Sequence, residues 1–413
     1  MYKRTNLTLL LAALFILFGA TALAQETGRT YTRADFVNID GGSLQEKIDR
    51  AVQQFKGTRQ GDTVWIAYHF QSRDGIQLGP FSGSVYRDGD GIQLTYRENP
   101  DGAAVFFLVD VTGSRPAFTR VKTLNVNEPY LFENRPVYWL GNVDTGQSLA
   151  QLETIMRGDP ENKDKVRGAL RAIGAHNNPR VIPMLKDVAL KDKTIDIQRA
   201  AITYLARIPA KESLDALDEL FAAADSTTIK QAIVGAYTTT GDRVSEKRVL
   251  DRLTAIAKSE ERIEVRTEAV RKIAGFRGDA IADRLFEIYD RLNDREIKLE
   301  ILRRVAVSDG TDDRAVKRLT TIAKNDPDLN LQREAINRIS IRNDDGITAL
   351  IDIYNSSNSD SVKVAIINRL AQSQSRKAAD KLLAIAREDA NPKMRQAAVS
   401  KLSNSPITPS VIR

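Results

Sequence analysis

Basic side chains recur at a regular spacing in the C-terminal half of this 413-residue sequence. Successive members are separated by 32, 34, 31 and 32 residues. Such a row of cations could bind an extended anionic surface: an acidic protein segment, an anionic glycan or phospholipid headgroups. The alternative is a solvated helix flank whose aliphatic stems cover apolar surface. The candidate binding residues are Lys272, Arg304, Arg338, Arg369 and Lys401, with Arg271 and Arg303 directly before the first two.

Residue types suited to catalysis or metal binding are scarce. The sequence has no cysteine, which excludes thiolate nucleophiles, disulfides and cysteine-ligated zinc, and its only histidines are His69 and His176. The motifs G-x-S-x-G and H-E-x-x-H are absent, as is a phosphate-binding glycine loop. We therefore expect a protein that is not an enzyme and that needs no cofactor or metal. Carboxylate chemistry in the N-terminal region is the alternative.

Two smaller features have structural interpretations. The "DGDG" stretch from Asp88 to Gly91 is typical of a hairpin turn, because a calcium-binding loop of the EF-hand type would need a glutamate where Asn99 stands. His69 lies inside a strand-like aromatic run and has no serine–acid partner that the sequence identifies. We expect it to be a packed or surface histidine.

Helices must position the basic residues, because the apolar residues around them follow a helical period. Each unit ends on an apolar anchor, and in seven of eight units an aliphatic residue lies eight positions earlier. Another apolar helix stands between successive units. It ends alternately in "IA", at Ala257 and Ala323, and in "IY", at Tyr289 and Tyr354. One unit alone buries too little apolar surface to offset its conformational entropy, so the units must stack. The anchors are Ile173, Leu205, Tyr237, Ile273, Val305, Ile339, Leu370 and Leu402.

These helix pairs, in which "VR" opens the second helix and "AV..I" or "AA…L" continues it, resemble the short form of HEAT repeats. The resemblance covers residues 147–404 and implies a mainly α, armadillo-like fold, a right-handed α-α superhelix that serves as a protein-binding scaffold. The segment Pro136–Met156 also resembles the junction in exported bacterial HEAT-repeat proteins. Some HEAT-like proteins are lyases or DNA glycosylases, so a HEAT-type lyase is an alternative function.

A further basic series lies one residue after the first aliphatic position of the second helices. This offset falls inside the apolar arc of the helix, where a cation needs an acceptor. Acidic residues precede it in several units, and HEAT repeats are similar in having an Asp–Arg ladder at this place. We therefore interpret the series as a structural ladder. Its members are Arg167, Lys230, Arg266, Lys298, Lys363 and Arg395, with Arg199 and Arg333 shifted by one.

The region from residue 25 to residue 146 differs in composition. It contains 16 of the 23 aromatic residues that follow residue 24 and has a net charge of −2, whereas residues 147–413 have a net charge of +7. Ser43 and Glu46 predict a helix cap, and the runs Thr63–Phe70, Ile92–Arg97, Ala103–Asp110 and Ala117–Leu124 predict strands. We expect a smaller β-rich α+β domain with Trp65, Phe106 and Phe107 in its core.

The first 24 residues are typical of a signal peptide, with Lys3 and Arg4 before an apolar stretch and "ALA" before Gln25. We expect an exported protein, periplasmic or secreted, without a membrane span in its mature form. An uncleaved N-terminal anchor is the alternative. Export and the lack of interleaved aromatic residues argue against nucleic acid as a partner of the basic row. Residues 405–413, with Pro406 and Pro409, are predicted to be a disordered tail.

Overall fold

The computed structural model describes residues 30–74, 87–88, 91–92, 102–127, 129–208, 210–239, 243–276, 279–305, 313–339 and 344–402. The predicted signal peptide and C-terminal tail lie outside these residues. The chain divides into two compact units, Met1–Ala216 and Leu217–Arg413. In the described part of the chain, no helix combines the length and apolarity needed to cross a membrane.

Nine strands lie in the N-terminal region of the described chain. Five form a mixed sheet of order β2-β9-β3-β6-β7, in which β9 runs parallel to both of its neighbours. The strands are β1 (Thr30–Tyr31), β2 (Val37–Asn38), β3 (Thr63–His69), β4 (Arg87–Asp88), β5 (Gly91–Ile92), β6 (Ala103–Asp110), β7 (Ala117–Asn125), β8 (Tyr130–Leu131) and β9 (Val137–Asn142).

The predicted strands agree closely with this sheet. β6 has the predicted limits, and β3 and β7 differ from the predictions by one residue. Trp65, Phe106 and Phe107 are fully buried, as predicted. β4 and β5 pair antiparallel, with Asp88 opposite Gly91, which confirms the hairpin interpretation of "DGDG". Most of the predicted strand Ile92–Arg97 lies outside the described residues.

The sequence pattern missed the strand β9, which is next to the centre of the sheet. Its apolar run, Val137–Leu140, has four residues, all buried, and lies in the segment Pro136–Met156, which the sequence resemblance had assigned to the junction with the repeats. A strand covered on both faces reads as a continuous apolar run, which periodicity alone does not distinguish from other buried segments.

Helix α1 (Leu44–Thr58) forms as its cap predicted. The Ser43 hydroxyl accepts the Glu46 backbone N–H at 3.3 Å, and the Glu46 carboxylate accepts the Ser43 N–H at 2.7 Å. Leu44, Ile48, Val52 and Phe55 are buried along one face, as their spacing predicted. The strands give way to the helical region between Asn142 and Thr145. The domain boundary near residue 146 stays a prediction, and the compact unit that ends at Ala216 contains the sheet together with the first helix pairs.

Sixteen helices follow in the described chain, arranged as eight pairs of a first and a second helix. The first helices are α2 (Thr145–Gly158), α4 (Val181–Lys191), α6 (Ala210–Ala223), α8 (Arg243–Ser259), α10 (Asp279–Arg291), α12 (Asp313–Asn325), α14 (Asp344–Ser356) and α16 (Arg376–Glu388). The second helices are α3 (Lys163–Ala175), α5 (Ile195–Ala206), α7 (Thr227–Tyr237), α9 (Ile263–Ile273), α11 (Arg295–Arg304), α13 (Leu329–Ile339), α15 (Asp360–Gln372) and α17 (Pro392–Leu402).

The anchors lie where the repeat predicted, within two residues of the end of each second helix. Seven of the eight are buried and Leu402 is half-buried. In the unit from Leu217 onward, consecutive second helices contact one another from α7 to α17, and consecutive first helices from α8 to α16. The chain therefore builds an α solenoid of two helix layers in this unit.

Tyrosines that end alternate first helices join successive repeats. The Tyr289 hydroxyl donates to Asp326 Oδ2 at 2.6 Å, and the Tyr354 hydroxyl donates to Asp389 Oδ2 at the same distance. A lysine ammonium lies over each ring, that of Lys298 at 4.7 Å from the Tyr289 centroid. Burial, followed by the bonds to the carboxylates, raises the pKa of both tyrosines, so the hydroxyls keep their protons and donate. The "IY" ending in the sequence therefore marks an inter-repeat hydrogen bond.

Replacing Tyr289 with phenylalanine should lower the free energy of unfolding by about 1–2 kcal/mol, because Asp326 loses a charge-assisted bond. Tyr354→Phe should cost a similar amount, since it removes the equivalent bond. Urea unfolding followed by circular dichroism measures both. Midpoints equal to that of the wild type would show that solvent replaces these bonds without loss.

Candidate functional site in the basic stripe

The seven basic residues singled out in the sequence all lie in the last turns of second helices. We call Arg271, Lys272, Arg303, Arg304, Arg338, Arg369 and Lys401 the basic stripe. They extend over α9, α11, α13, α15 and α17, all within the second compact unit. Cations at helix C-termini complement the negative end of the helix dipole, which is a structural reason for their recurrence.

Carboxylates of the same helices neutralise the first part of the basic stripe. Glu300 Oε1 accepts the Nε–H groups of Arg271 and Arg304, each at 2.9 Å. Glu268 lies 3.6 Å from Arg271 and 3.4 Å from Lys272, measured between the charged atoms. Because Arg271 and Glu300 stand on neighbouring second helices, their ion pair also connects two repeats.

Burial alone would raise the pKa of Glu300, but the hydrogen bonds from Arg271 and Arg304 outweigh it and hold that pKa below its ordinary value. The bond to Glu300 likewise raises the pKa of Arg271. The carboxylate of Glu300 is therefore ionised at neutral pH, and the guanidinium group of Arg271 stays charged.

The middle of the basic stripe is bound to the preceding repeats. Arg338 Nη2 donates to the Val305 carbonyl oxygen at 3.4 Å. Arg369 Nε donates to Asn337 Oδ1 at 2.6 Å, and its Nη1 donates to Gln372 Oε1 at 2.8 Å. These two arginines therefore connect successive second helices.

Two members of the basic stripe remain available to a partner. Arg303 and Lys401 are exposed, and neither forms an ion pair or a side-chain hydrogen bond with any residue in the described ranges. The stripe is thus mixed in charge, and its free cations lie at positions 303 and 401.

Sequence reasoning overlooked the glutamates of the basic stripe, although a signal was present. Glu268, Glu300 and Glu334 occupy the same place in three successive repeats, three residues after the first aliphatic position of the second helix. Each of these glutamates has an arginine or asparagine partner one turn later on the same helix. The Asn337 side chain, for example, donates from Nδ2 to Glu334 Oε2 at 3.5 Å.

A second polar constellation joins the sheet to the first helices. The hydroxyls of Tyr68 and Ser148 are 2.7 Å apart, Ser148 Oγ is 2.7 Å from His176 Nε2, and His176 Nδ1 is 2.6 Å from the Ala172 carbonyl oxygen. Since the carbonyl can only accept, Nδ1 donates, Nε2 accepts from Ser148, and Tyr68 donates to Ser148. The Phe70 ring stacks on the imidazole at a centroid distance of 4.0 Å.

Ser148 and His176 have the spacing of a nucleophile and its base, but Tyr68, Ser148 and His176 are all fully buried. Burial lowers the pKa of His176 to about 4, so the imidazole is neutral at neutral pH. We interpret this chain as a structural clamp between β3, α2 and α3. The other histidine, His69, is half-buried at the end of β3, and within the described ranges no cluster of three potential metal ligands occurs.

Residues 149–238 and 316–403 match the family model for HEAT repeats. These segments are HEAT repeats. Two helix pairs lie between the matched segments, α8 with α9 and α10 with α11, and they follow the same alternation of first and second helices.

Solved structures add little to this assignment. Human deoxyhypusine hydroxylase in complex with glycerol is 15% identical over 54% of this chain and 84% of its own, with a TM-score of 0.26. A computationally designed self-assembling cyclic homooligomer is 16% identical over 62% of this chain and 89% of its own, with a TM-score of 0.10. Superpositions this poor carry no argument about fold or function. No curated protein matches the sequence significantly.

Three cations of the inner series, Arg167, Lys230 and Arg266, form ion pairs with carboxylates, as the ladder interpretation predicted. Arg266 donates to Asp294 Oδ2 at 2.7 Å and to the Ala257 carbonyl oxygen at 3.1 Å. Lys230 pairs with Glu260 at 3.0 Å. In the "IY" repeats the corresponding cations, Lys298 and Lys363, lie over the rings of Tyr289 and Tyr354 instead. The series therefore contributes to the packing of the helices in both repeat types.

The first-helix layer is bound together by its own charge pairs. A groove of about 460 Å³ between α8 and α10 is crossed by ion pairs from Arg284 to Asp251 and from Lys258 to Glu287, both at 2.8 Å. Arg284 also donates to the Thr254 hydroxyl at 3.1 Å. The charged residues that line this groove already form ion pairs with other helices of the array. The second-helix layer, which presents the exposed Arg303 and Lys401, is therefore a better candidate interaction surface than the first-helix layer.

Proposed function

We propose that this protein is an exported, non-enzymatic scaffold whose HEAT solenoid binds an acidic protein partner along the second helices of its C-terminal unit. The observation that carries the proposal is the pair of exposed cations Arg303 and Lys401, which have no described partner. They lie in one helix layer and within a region whose sequence has a net charge of +7 over residues 147–413. Long surfaces built from stacked repeats are suited to binding extended partners.

The fold and the scarcity of catalytic residues support this function over the enzymatic alternative. HEAT repeats serve as scaffolds for protein interaction, and the Ser148–His176 pair is closed off by its own packing. Anionic glycans and phospholipid headgroups are the alternative ligands of the same cations, and they would compete for Arg303 and Lys401. The proposed export rests on the N-terminal 24 residues of the sequence.

Reversing the two free charges should weaken partner binding without changing stability. The variant Arg303→Glu/Lys401→Glu should lose at least about tenfold in affinity for the partner, because favourable charge complementarity becomes repulsion. Affinity capture from a cell-envelope extract, with mass spectrometry of the retained proteins, identifies the partner and measures the loss.

The matched control is Lys317→Glu/Arg387→Glu, which reverses two exposed first-helix cations that also lack described partners. It should retain the partner. Equal retention by both double variants would contradict the proposal.

Cell fractionation and intact-mass measurement test export, since a chain that begins at Gln25 outside the cytoplasm is the expected product.

A further inference from the structure

The structure contains a pair of arginines held in a fixed orientation by a buried carboxylate. Glu300 is 6% exposed, and its Oε1 atom accepts from Arg271 on α9 and Arg304 on α11. The two guanidinium groups are thereby brought together across two repeats. Among the described second helices, this is the place where a single glutamate binds two arginines.

The two arginines use the inner edge of the guanidinium for this contact. Both bonds to Glu300 come from Nε, and the side chains remain 46% and 49% exposed. The Nη atoms of Arg304 form no hydrogen bond or ion pair with a residue of the described chain, whereas Arg271 Nη1 lies 3.6 Å from Glu268 Oε2. Nε therefore anchors both guanidinium groups, and the terminal donors of Arg304 are left for a ligand.

Local charge favours an anionic ligand here. Arg271, Lys272 and Arg304 pair with Glu268 and Glu300, and the neighbouring Arg303 adds a fourth positive charge, which leaves an excess of two positive charges. A planar guanidinium matches the two oxygens of a carboxylate in a bidentate pair. Because Glu300 already restricts the side chains, a ligand loses less conformational entropy on binding than it would with two free arginines.

We propose that Arg271 and Arg304, oriented by Glu300, form a clamp for an aspartate or glutamate side chain of an acidic protein segment. This inference rests on the proposed function and locates its central contact. Arg303 lies beside the clamp and attracts the same segment, whereas Glu300 acts as a positioning residue that does not touch the ligand.

The probe for the clamp is a fluorescein-labelled octaglutamate peptide, titrated with the mature protein and followed by fluorescence anisotropy. Arg304→Lys keeps the charge but loses the bidentate fork, and we expect the Kd to rise about tenfold. Glu300→Gln adds one positive charge but releases the arginines, and we expect it also to weaken binding several-fold. Arg284→Lys, in the first-helix layer, should leave the Kd unchanged.

The Glu300→Gln result separates a positioned clamp from a general attraction between charges. Tighter binding, unchanged binding, or no measurable binding of octaglutamate by the wild type would overturn the clamp. Displacement of the peptide by inorganic phosphate more strongly than by acetate at equal ionic strength would overturn the assignment to carboxylates. Circular dichroism and urea midpoints establish that the variants are folded, and Arg304→Lys, a surface change, tests the clamp even if Glu300→Gln unfolds.

The clamp and the proposed function can fail separately. If Arg303→Glu/Lys401→Glu loses the captured partner while Arg304→Lys and Glu300→Gln retain it, the clamp is wrong and the scaffold function stands. If the clamp variants weaken octaglutamate binding but no variant loses the captured partner, the clamp exists and the proposed partner surface is wrong.

Discussion

Replacing Gly168 with alanine should destabilise the protein by about 2 kcal/mol, although alanine is the better helix former. Gly168 lies on α3 against the edge strand β7. An added Cβ would come well inside 3.0 Å of the Val121 carbonyl oxygen and 3.1 Å from the Val121 Cβ. Because the obstructing atom belongs to the backbone, it cannot rotate away, and the helix or the strand must shift. Urea unfolding followed by circular dichroism measures the loss.

Gly235 offers a matched control on the second helix α7. A Cβ there would meet only the Lys272 side chain, with Cε at 3.7 Å, which is ordinary contact with a flexible group. Gly235→Ala should therefore stabilise by up to about 1 kcal/mol through helix propensity. If Gly168→Ala also stabilised, the close approach of α3 to β7 would be refuted.

This close approach has a physical purpose in the fold. β7 is an edge strand, and edge strands expose unpaired backbone groups that promote association. The helix α3 covers part of that edge, where the Asn162 side chain donates to the Thr119 carbonyl oxygen at 3.0 Å. A side chain at position 168 would hold α3 away from β7. Glycine at this position therefore permits α3 to cover the edge of the sheet.

Acid should destabilise the wild-type protein through His176. The loss of stability should begin near pH 6.5, at a higher pH than the range in which carboxylates titrate. The buried imidazole has a pKa of about 4, lowered from 6.5 by burial. As the pH falls from 6.5 towards 4, the unfolded chain takes up a proton that the folded protein refuses, so stability falls. The integrated loss is about 3 kcal/mol, and it levels off below the folded pKa.

The measurement is the free energy of unfolding at several pH values for the wild type and for His176→Gln. The variant should be less stable at neutral pH, because Ser148 and Phe70 lose their fitted partner, but it should show little slope between pH 6.5 and pH 5. His69→Gln, which changes the other histidine, should keep the wild-type slope. An equal slope in His176→Gln would assign the acid sensitivity to other groups.

Periodicity in the sequence predicted most of the HEAT array but could not predict the partners of its charges. The anchors, the helix pairs and the last-turn placement of the basic stripe follow from local spacing, because one helix face repeats every three to four residues. The partners do not, since Arg271 meets Glu300 and Arg369 meets Asn337 across 29 and 32 residues. Such contacts depend on how neighbouring helices pack and which rotamers that packing allows.

The N-terminal region shows the same division. The cap of α1 and the strands β3, β6 and β7 were predictable because capping residues, and β-branched and aromatic runs bounded by turn residues, act within a few positions. β9 was missed because its apolar run is short, Val137–Leu140, and leads directly into the repeats. The buried hydrogen-bond chain of Tyr68, Ser148 and His176 joins residues that are 80 and 28 positions apart, and no local pattern signals it.

The repeat of helix pairs, the β-rich start and the last-turn positions of the cations were predictable from the amino-acid sequence, because they depend only on local periodicity and side-chain type. The tertiary structure was needed to show that Glu300 binds two arginines, that Arg303 and Lys401 have no partner among the described residues, and that His176 is buried and neutral. The reason is physical: desolvation and ion pairing depend on distances between repeats, which arise only when the helices stack.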